Sequence, residues 1–295
     1  MASLHAYLDA LIAHDSSILP LSPNLKATEN AQPSDLKSGL WSTATKIGSY
    51  SFTCSDKQTG QEGFCGLIWR GDHEASIVSI RIKINSSEEI EESEIIIGID
   101  RFPGATATDP KTLTTWREDF SSWIPDDKRN TREELQAIAA SYYDGVTNNT
   151  PEKVPLSHEG NRVENGTRIT NISTFSLIDG FYEPEDPNVT LPNFAEWSPK
   201  EQFDRGLWNS DTVTGERFPL IDVEHGIVMA YALYQPWTKA TGATVKGVGK
   251  IKRLGGPERT MVSLCMMELF KIKEGTIYDM ESVWFVGPLP MSSGW

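Results

Sequence analysis

The sequence predicts an α+β protein in which one small domain, helices packed on a curved antiparallel sheet, is written twice, the two copies forming a pseudo-dimer. Three observations lead there. Leu19-Pro20-Leu21-Ser22 is followed after six residues by Glu29-Asn30, and Val154-Pro155-Leu156-Ser157 is followed at the same spacing by Glu164-Asn165. An internal repeat of this length fixes the architecture before any site is considered. Each copy also opens with helical periodicity and continues with short runs of strand-forming residues.

The repeat extends in both directions. Tyr7-x-Asp9 answers Tyr142-x-Asp144 upstream, and Ser38-Gly39-Leu40-Trp41 answers Arg205-Gly206-Leu207-Trp208 downstream. Gln61-Glu62-Gly63 is matched with Glu224-His225-Gly226, and Ile90-x-x-x-Glu94 with Ile277-x-x-x-Glu281. The expected domains are residues 1–104, a linker at 105–130, and residues 131–295 with an insertion at 174–204. A chain of 295 residues is long enough for both copies to bury a core.

Copy one opens with a helix over Ser3 to Ala13, where Ser3 is the N-cap and Leu4, Leu8, Leu11 and Ile12 recur at helical spacing. Pro20 and Pro23 stop further helix. Strand-like runs follow at Tyr50–Cys54, Phe64–Arg70, Ile77–Ile84 and Glu94–Ile99, with turns at Asp72 and after Asn85. Residues 101–130 read as a linker, with one short ordered piece around Trp116 to Trp123.

Copy two opens at Thr131, which forms a capping box with Glu134, and its helix runs to Val146. Arg162 to Asn171 reads as a strand or hairpin. Asp179 to Lys200 carries Pro184, Pro187, Pro192 and Pro199 and reads as a long loop. Strands are expected at Gly226–Tyr234, Glu258–Ile272 and Ile277–Val286. Both faces of Met261–Leu269 are largely apolar, so both should be covered. Its own helix would cover one face and the sister sheet the other.

The formal net charge of −14 argues against nucleic acid and anionic membranes as partners, since phosphate binding needs a basic surface. No apolar run reaches the length of a membrane span. Cys54, Cys65 and Cys265 have no metal-ligand spacing and read as small buried apolar side chains, which makes the cytoplasm the expected location. The alternative is secretion, because Asn85, Asn148, Asn165, Asn171 and Asn188 each begin an N-x-S/T sequon.

Tyr-x-Asp late in the first helix, Glu-Asn entering the first strand, Gly-Leu-Trp before the sheet, and Asp222-x-Glu224-x-Gly226-Ile227-Val228-x-Ala230 opening a long strand resemble the SnoaL-like members of the nuclear transport factor 2-like family. The chain, apart from linker and insertion, resembles a tandem protein of two such cone-shaped domains. The resemblance implies a cavity between curved sheet and helices. Family members include isomerases, dehydratases and cyclases of secondary metabolism, and others that only bind; fold alone does not choose among them.

The isomerase branch places its base at a position that is Asn30 in copy one and Asn165 in copy two, and Asn carries no titratable proton at neutral pH. Two readings of the pair stay open: a structural Glu-Asn turn, or Glu164 as a buried acid or base. Tyr142 matches a tyrosine that polarises a substrate carbonyl in the dehydratase branch, or else packs on the sheet. A dehydratase also wants a histidine. His158 is the better candidate because it lies close in sequence to Glu164, whereas His225 falls in a turn; the copy-one counterpart of His158 is Pro23. Trp208, Tyr231, Tyr234, Met266 and Trp284 would line an apolar pocket, with plain core as the alternative for each.

The expected catalytic set is Tyr142, His158, Glu164 and Asn165, in copy two. The expected function is that of a cofactor-independent isomerase, cyclase or dehydratase acting on an apolar, polyketide- or terpenoid-like molecule, and no metal-binding, phosphate-loop or nucleophile-elbow motif is present in the sequence. The alternative is a non-catalytic small-molecule-binding or protein-interaction module. A second copy of the chain, as a homodimer, stays open as a partner.

Overall fold

The computed structural model describes residues 3–71, 74–98, 110–176, 182–208, 212–237, 242–253 and 262–295. The turn expected at Asp72, the strand ends expected at Ile99 and 258–261, and parts of the linker and insertion (105–109, 177–181) lie outside them. The fold is α+β. Its first half runs α1 (Leu4–Ala13), β1 (Leu21–Glu29), β2 (Gln32–Pro33), α2 (Leu40–Thr43), β3 (Ala44–Asp56), β4 (Gln61–Arg70), β5 (Glu74–Ile84) and β6 (Ile90–Ile97). After α3 (Glu118–Ser121) the second half runs α4 (Arg132–Asn148), β7 (Arg162–Glu164), β8 (Thr167–Arg168), β9 (Tyr182–Pro184), α5 (Pro199–Asp204), β10 (Val213–Asp222) and β11 (Ile227–Trp237). It ends with β12 (Ala243–Val245), β13 (Gly249–Arg253), β14 (Val262–Lys273) and β15 (Thr276–Pro288).

Two six-stranded sheets dominate, ordered β2-β1-β6-β5-β4-β3 and β8-β7-β15-β14-β11-β10. β1 runs parallel to β6 and β7 parallel to β15, while the other neighbours in these sheets are antiparallel. The register also corresponds. Crossing the first sheet, Glu29 pairs with Ile95, Ile95 with Ile80 and Ile80 with Phe64. Crossing the second, Glu164 pairs with Ser282, Ser282 with Glu268 and Glu268 with Ala230. The neighbouring row sets Gly63 against Arg81 and Met229 against Leu269. Gly63 therefore corresponds to Met229. The match of Gln61-Glu62-Gly63 with Glu224-His225-Gly226 is displaced, since the first triplet opens β4 and the second is the turn before β11.

Helix ends follow local chemistry. Ser3 Oγ accepts from Ala6 N to cap α1, and Thr131 with Glu134 closes the capping box of α4. His14 and Asn149 end the two helices in left-handed conformations. Each helix lies on the outer face of its sheet: Tyr7, Leu8 and Leu11 on Phe64, Val78 and Ile80, and Leu135, Tyr142 and Tyr143 on Val228, Ala230 and Phe270. The inner faces meet. Phe52, Cys65, Leu67 and Ile77 share one core with Met229, Tyr231, Met267 and Val283. β14 is thus covered on both faces, as its apolar sequence requires. All three cysteines are free and buried, each in this inter-sheet core.

The linker is more ordered than its composition suggests. Trp116 stacks on Phe52 at 5.5 Å, and Arg117 reaches Asp279 and Glu281, each at 3.0 Å. The insertion also differs from a plain loop. Ser198 caps α5 with Pro199 in the first turn, and β9 joins β12 and β13 in a small third sheet. Among the described residues no helix is long and apolar enough to cross a membrane.

Candidate functional site

Alternation along the strands decides which side chains meet beneath α4. Ala230, Ala232 and Tyr234 of β11, Met266, Glu268 and Phe270 of β14, and Met280, Ser282 and Trp284 of β15 share the face under the helix. Glu268 stands in the middle of this face and is fully buried. Tyr234 donates its hydroxyl to Glu268 Oε2 at 3.1 Å. Arg162 comes in from β7, buried, with Nη2 2.7 Å from Glu164 Oε1. Its guanidinium lies 4.3 Å from the Trp208 ring centre and 5.8 Å from that of Tyr142. Tyr142 and Tyr143 come down from α4; Tyr142 packs against Phe203 at 5.1 Å and Phe270 at 5.4 Å.

This cluster leaves polar atoms unsatisfied. Nε and Nη1 of Arg162 are buried and have no hydrogen-bond partner among the described residues, while the Tyr143 hydroxyl lies against Glu268 and that of Tyr142 against Tyr234. Buried polar groups are nearly always bonded, so the two bare nitrogens of Arg162 need an explanation. Burial pushes the Glu268 carboxyl up to about 7, with Arg162 opposing the rise. Burial likewise pushes the hydroxyls of Tyr142, Tyr143 and Tyr234 well above the ordinary tyrosine range. A carboxyl that changes charge near neutrality, beside neutral hydroxyl donors and a fixed cation, can exchange a proton and stabilise negative charge on a neighbour. A small depression lined by Gly145, Asn149, Pro151, Phe203 and Trp208, too tight for a water molecule, lies beside the cluster.

The corresponding place in the first half is apolar. Ile80, Ile95 and Phe64 stand where the second half has Glu268, Ser282 and Ala230, and all three are buried in the first core. The Tyr7 hydroxyl is satisfied by Ser93 Oγ at 2.6 Å and by Trp41 Nε1 at 3.2 Å.

Residues 128–284, more than half of the chain, match the family described as a domain of unknown function, DUF8021. The chain belongs to this family. No curated protein matches it. The DUF8021 region contains Tyr142, Tyr143, Arg162, Glu164, Trp208, Tyr234 and Glu268, and so the whole cluster.

Of the residues the sequence singles out in the DUF8021 region, Tyr142 and Glu164 lie in the cluster, with Trp208, Tyr234, Met266 and Trp284 around them. Glu164 is held by Arg162 in an ion pair, which suits it to orienting the guanidinium. Asn165 is committed elsewhere. At φ 44° it closes the β7–β8 turn, its Oδ1 accepts from Trp284 N at 2.9 Å and its Nδ2 donates to Trp284 O at 3.0 Å. Asn30 does the same at φ 47°, accepting from Ile97 N at 2.8 Å. The Glu-Asn phrase thus has a structural role in its asparagines.

His158 is exposed, its Nδ1 3.2 Å from Ser198 Oγ, and does not join Glu164. His225 sits in the β10–β11 turn, bonded to Asp222 Oδ2 at 2.9 Å. Tyr231 is three positions from Tyr234 and therefore points the other way, into the inter-sheet core, where its hydroxyl is 3.4 Å from Ser79 Oγ. Glu268, Tyr143 and Arg162 are the residues that sequence reasoning misses. Glu268 carries a signal, an acid inside the apolar run Val262–Phe270.

Proposed function

We propose that the DUF8021 half of the chain is a small-molecule site of the nuclear transport factor 2-like, SnoaL-like kind, and that the two halves are copies of one cone-shaped domain arranged as a pseudo-dimer. The shared strand order, the matching parallel pairs and the equivalent asparagines Asn30 and Asn165 support the duplication. The function we assign is proton transfer without a cofactor on an apolar molecule: isomerisation, cyclisation or dehydration. Glu268 carries the proton, Arg162 and the hydroxyls of Tyr142 and Tyr143 stabilise negative charge, and Glu164 orients Arg162. Met266, Phe270 and Trp284 supply the apolar wall. The observation that carries this reading is the buried Arg162 guanidinium, with Nε and Nη1 unbonded, in one cluster with the fully buried Glu268 carboxyl.

A non-catalytic binding module is the second reading, favoured by the cover that Phe203 and Trp208 place over the cluster. The test is a comparison of metabolites from cells carrying the wild-type gene or the Glu268→Gln or Tyr142→Phe variant. An enzyme loses a product in both variants while the protein still folds. Unchanged profiles in both, with folded protein present, reject the catalytic assignment.

A further inference from the structure

We propose that this site takes a flat apolar molecule bearing an oxyanion, a carboxylate or a phenolate, with the charged oxygen held by Arg162 and the tyrosine hydroxyls. The inference rests on reading the cluster as a small-molecule site. Arg162 spends one nitrogen, Nη2, on Glu164, and its Nε and Nη1 stay bare in a buried setting. Charged donors are matched best by charged acceptors. The Tyr142 and Tyr143 hydroxyls stand in the same cluster, against Tyr234 and Glu268, and can turn to a ligand oxygen; Tyr234 itself donates to Glu268. The two bare nitrogens of Arg162 lack an acceptor.

The Glu164 pair neutralises Arg162 but leaves those donor directions open, so the ligand's charge must be spread over several hydrogen bonds. The Trp208 and Tyr142 rings beside the guanidinium fix its position. Met266, Phe270 and Trp284 form the surroundings, which suit a flat ring system. Ala230 stands at the register position that Phe64 holds in the first half, and Glu268 at that of Ile80, so the expected stoichiometry is one ligand per chain.

The experiment is calorimetric titration of the full chain with three probes on one skeleton: 2-naphthoate, 2-naphthol and naphthalene. The expected result is one site per chain, with at least one oxygenated probe binding ten times more tightly than naphthalene, and the better of the two tells carboxylate from phenolate. Arg162→Met should erase that preference and keep naphthalene binding. Ala230→Phe, which introduces the side chain that the first half already accommodates, should abolish binding of all three with the circular dichroism spectrum retained. Equal affinity for all three probes overturns the oxyanion assignment alone and leaves the pocket standing. Absence of binding by every probe overturns both.

Discussion

Tyr234 and Glu268, on adjacent strands and both buried, share a hydrogen bond of 3.1 Å in which the tyrosine donates and the carboxyl accepts. This bond and one from Tyr143 favour the ionised carboxylate, while burial, the larger effect, favours the acid. Glu268 is therefore poised between two charge states. Tyr234→Phe removes a stabiliser of the ionised form and should raise the Glu268 pKa further. Carbon-13 NMR titration of the glutamate carboxyls measures this; a downward shift would contradict the assignment.

The same poise makes stability depend on pH. Glu268 and Glu281 both hold their protons up to about 7 in the fold, burial being the main cause, against an ordinary value of 4.5. The folded chain binds more protons than the unfolded chain between those values, so this contribution is full below 4.5 and is lost as pH rises to about 7. Urea midpoints measured across this window should fall with pH, and Glu268→Gln should flatten the slope. A variant slope equal to that of the wild type would show that Glu268 is ionised throughout.

Arg117 ties the linker to the second sheet through Asp279 and Glu281 and donates to Met280 O at 2.9 Å. Arg117→Ala leaves Glu281 buried with Tyr50 as its remaining partner, at 2.8 Å. Breaking one side of a buried pair costs about 3–5 kcal/mol. Urea unfolding above the Glu281 pKa of about 7, where its carboxylate is charged, should show a loss of that order, with a smaller loss for Arg117→Lys. A loss within the range of an exposed pair, under about 1 kcal/mol, would mean that the linker is not anchored there.

Asn165 is assigned to architecture, and its substitutions should separate backbone from side chain. Asn165→Ala loses the bonds to Trp284 and places a Cβ-bearing apolar residue at φ 44°, for a cost of about 2–4 kcal/mol. Asn165→Gly loses the bonds alone and should be about 1 kcal/mol milder. Equal losses by thermal unfolding would contradict the role of the left-handed turn.

How far the sequence could be read follows from where its signals are local. The helices of both halves are written in their caps and periodicity, Ser3 and Thr131 above all. The long central strands are written in their apolar runs. β10 is harder to see, because Gly215 and Pro219 interrupt it; it is an edge strand, where proline costs no ladder bond. The cap of α5, Ser198-Pro199-x-Glu201, was legible but lay inside a proline-rich stretch that reads as loop.

The site was legible in half. Tyr142 and Glu164 are marked by the repeat itself. Glu268 and Arg162 are not, since their meaning depends on β14 and β7 being joined across β15, a long-range pairing that no local pattern shows. His158 failed as a partner because nearness to Glu164 in sequence does not carry across the chain reversal that puts it at the surface.

The most direct test of the second-half site uses its methionines. With ε-carbon-13 methionine and 2-naphthol as probe, the methyl signals of Met266 and Met280, which line the core under α4, should shift, while those of Met229 and Met267, between the sheets, should stay. Shifts at Met229 and Met267 with Met266 unmoved, or no shift at saturating probe, would contradict the account.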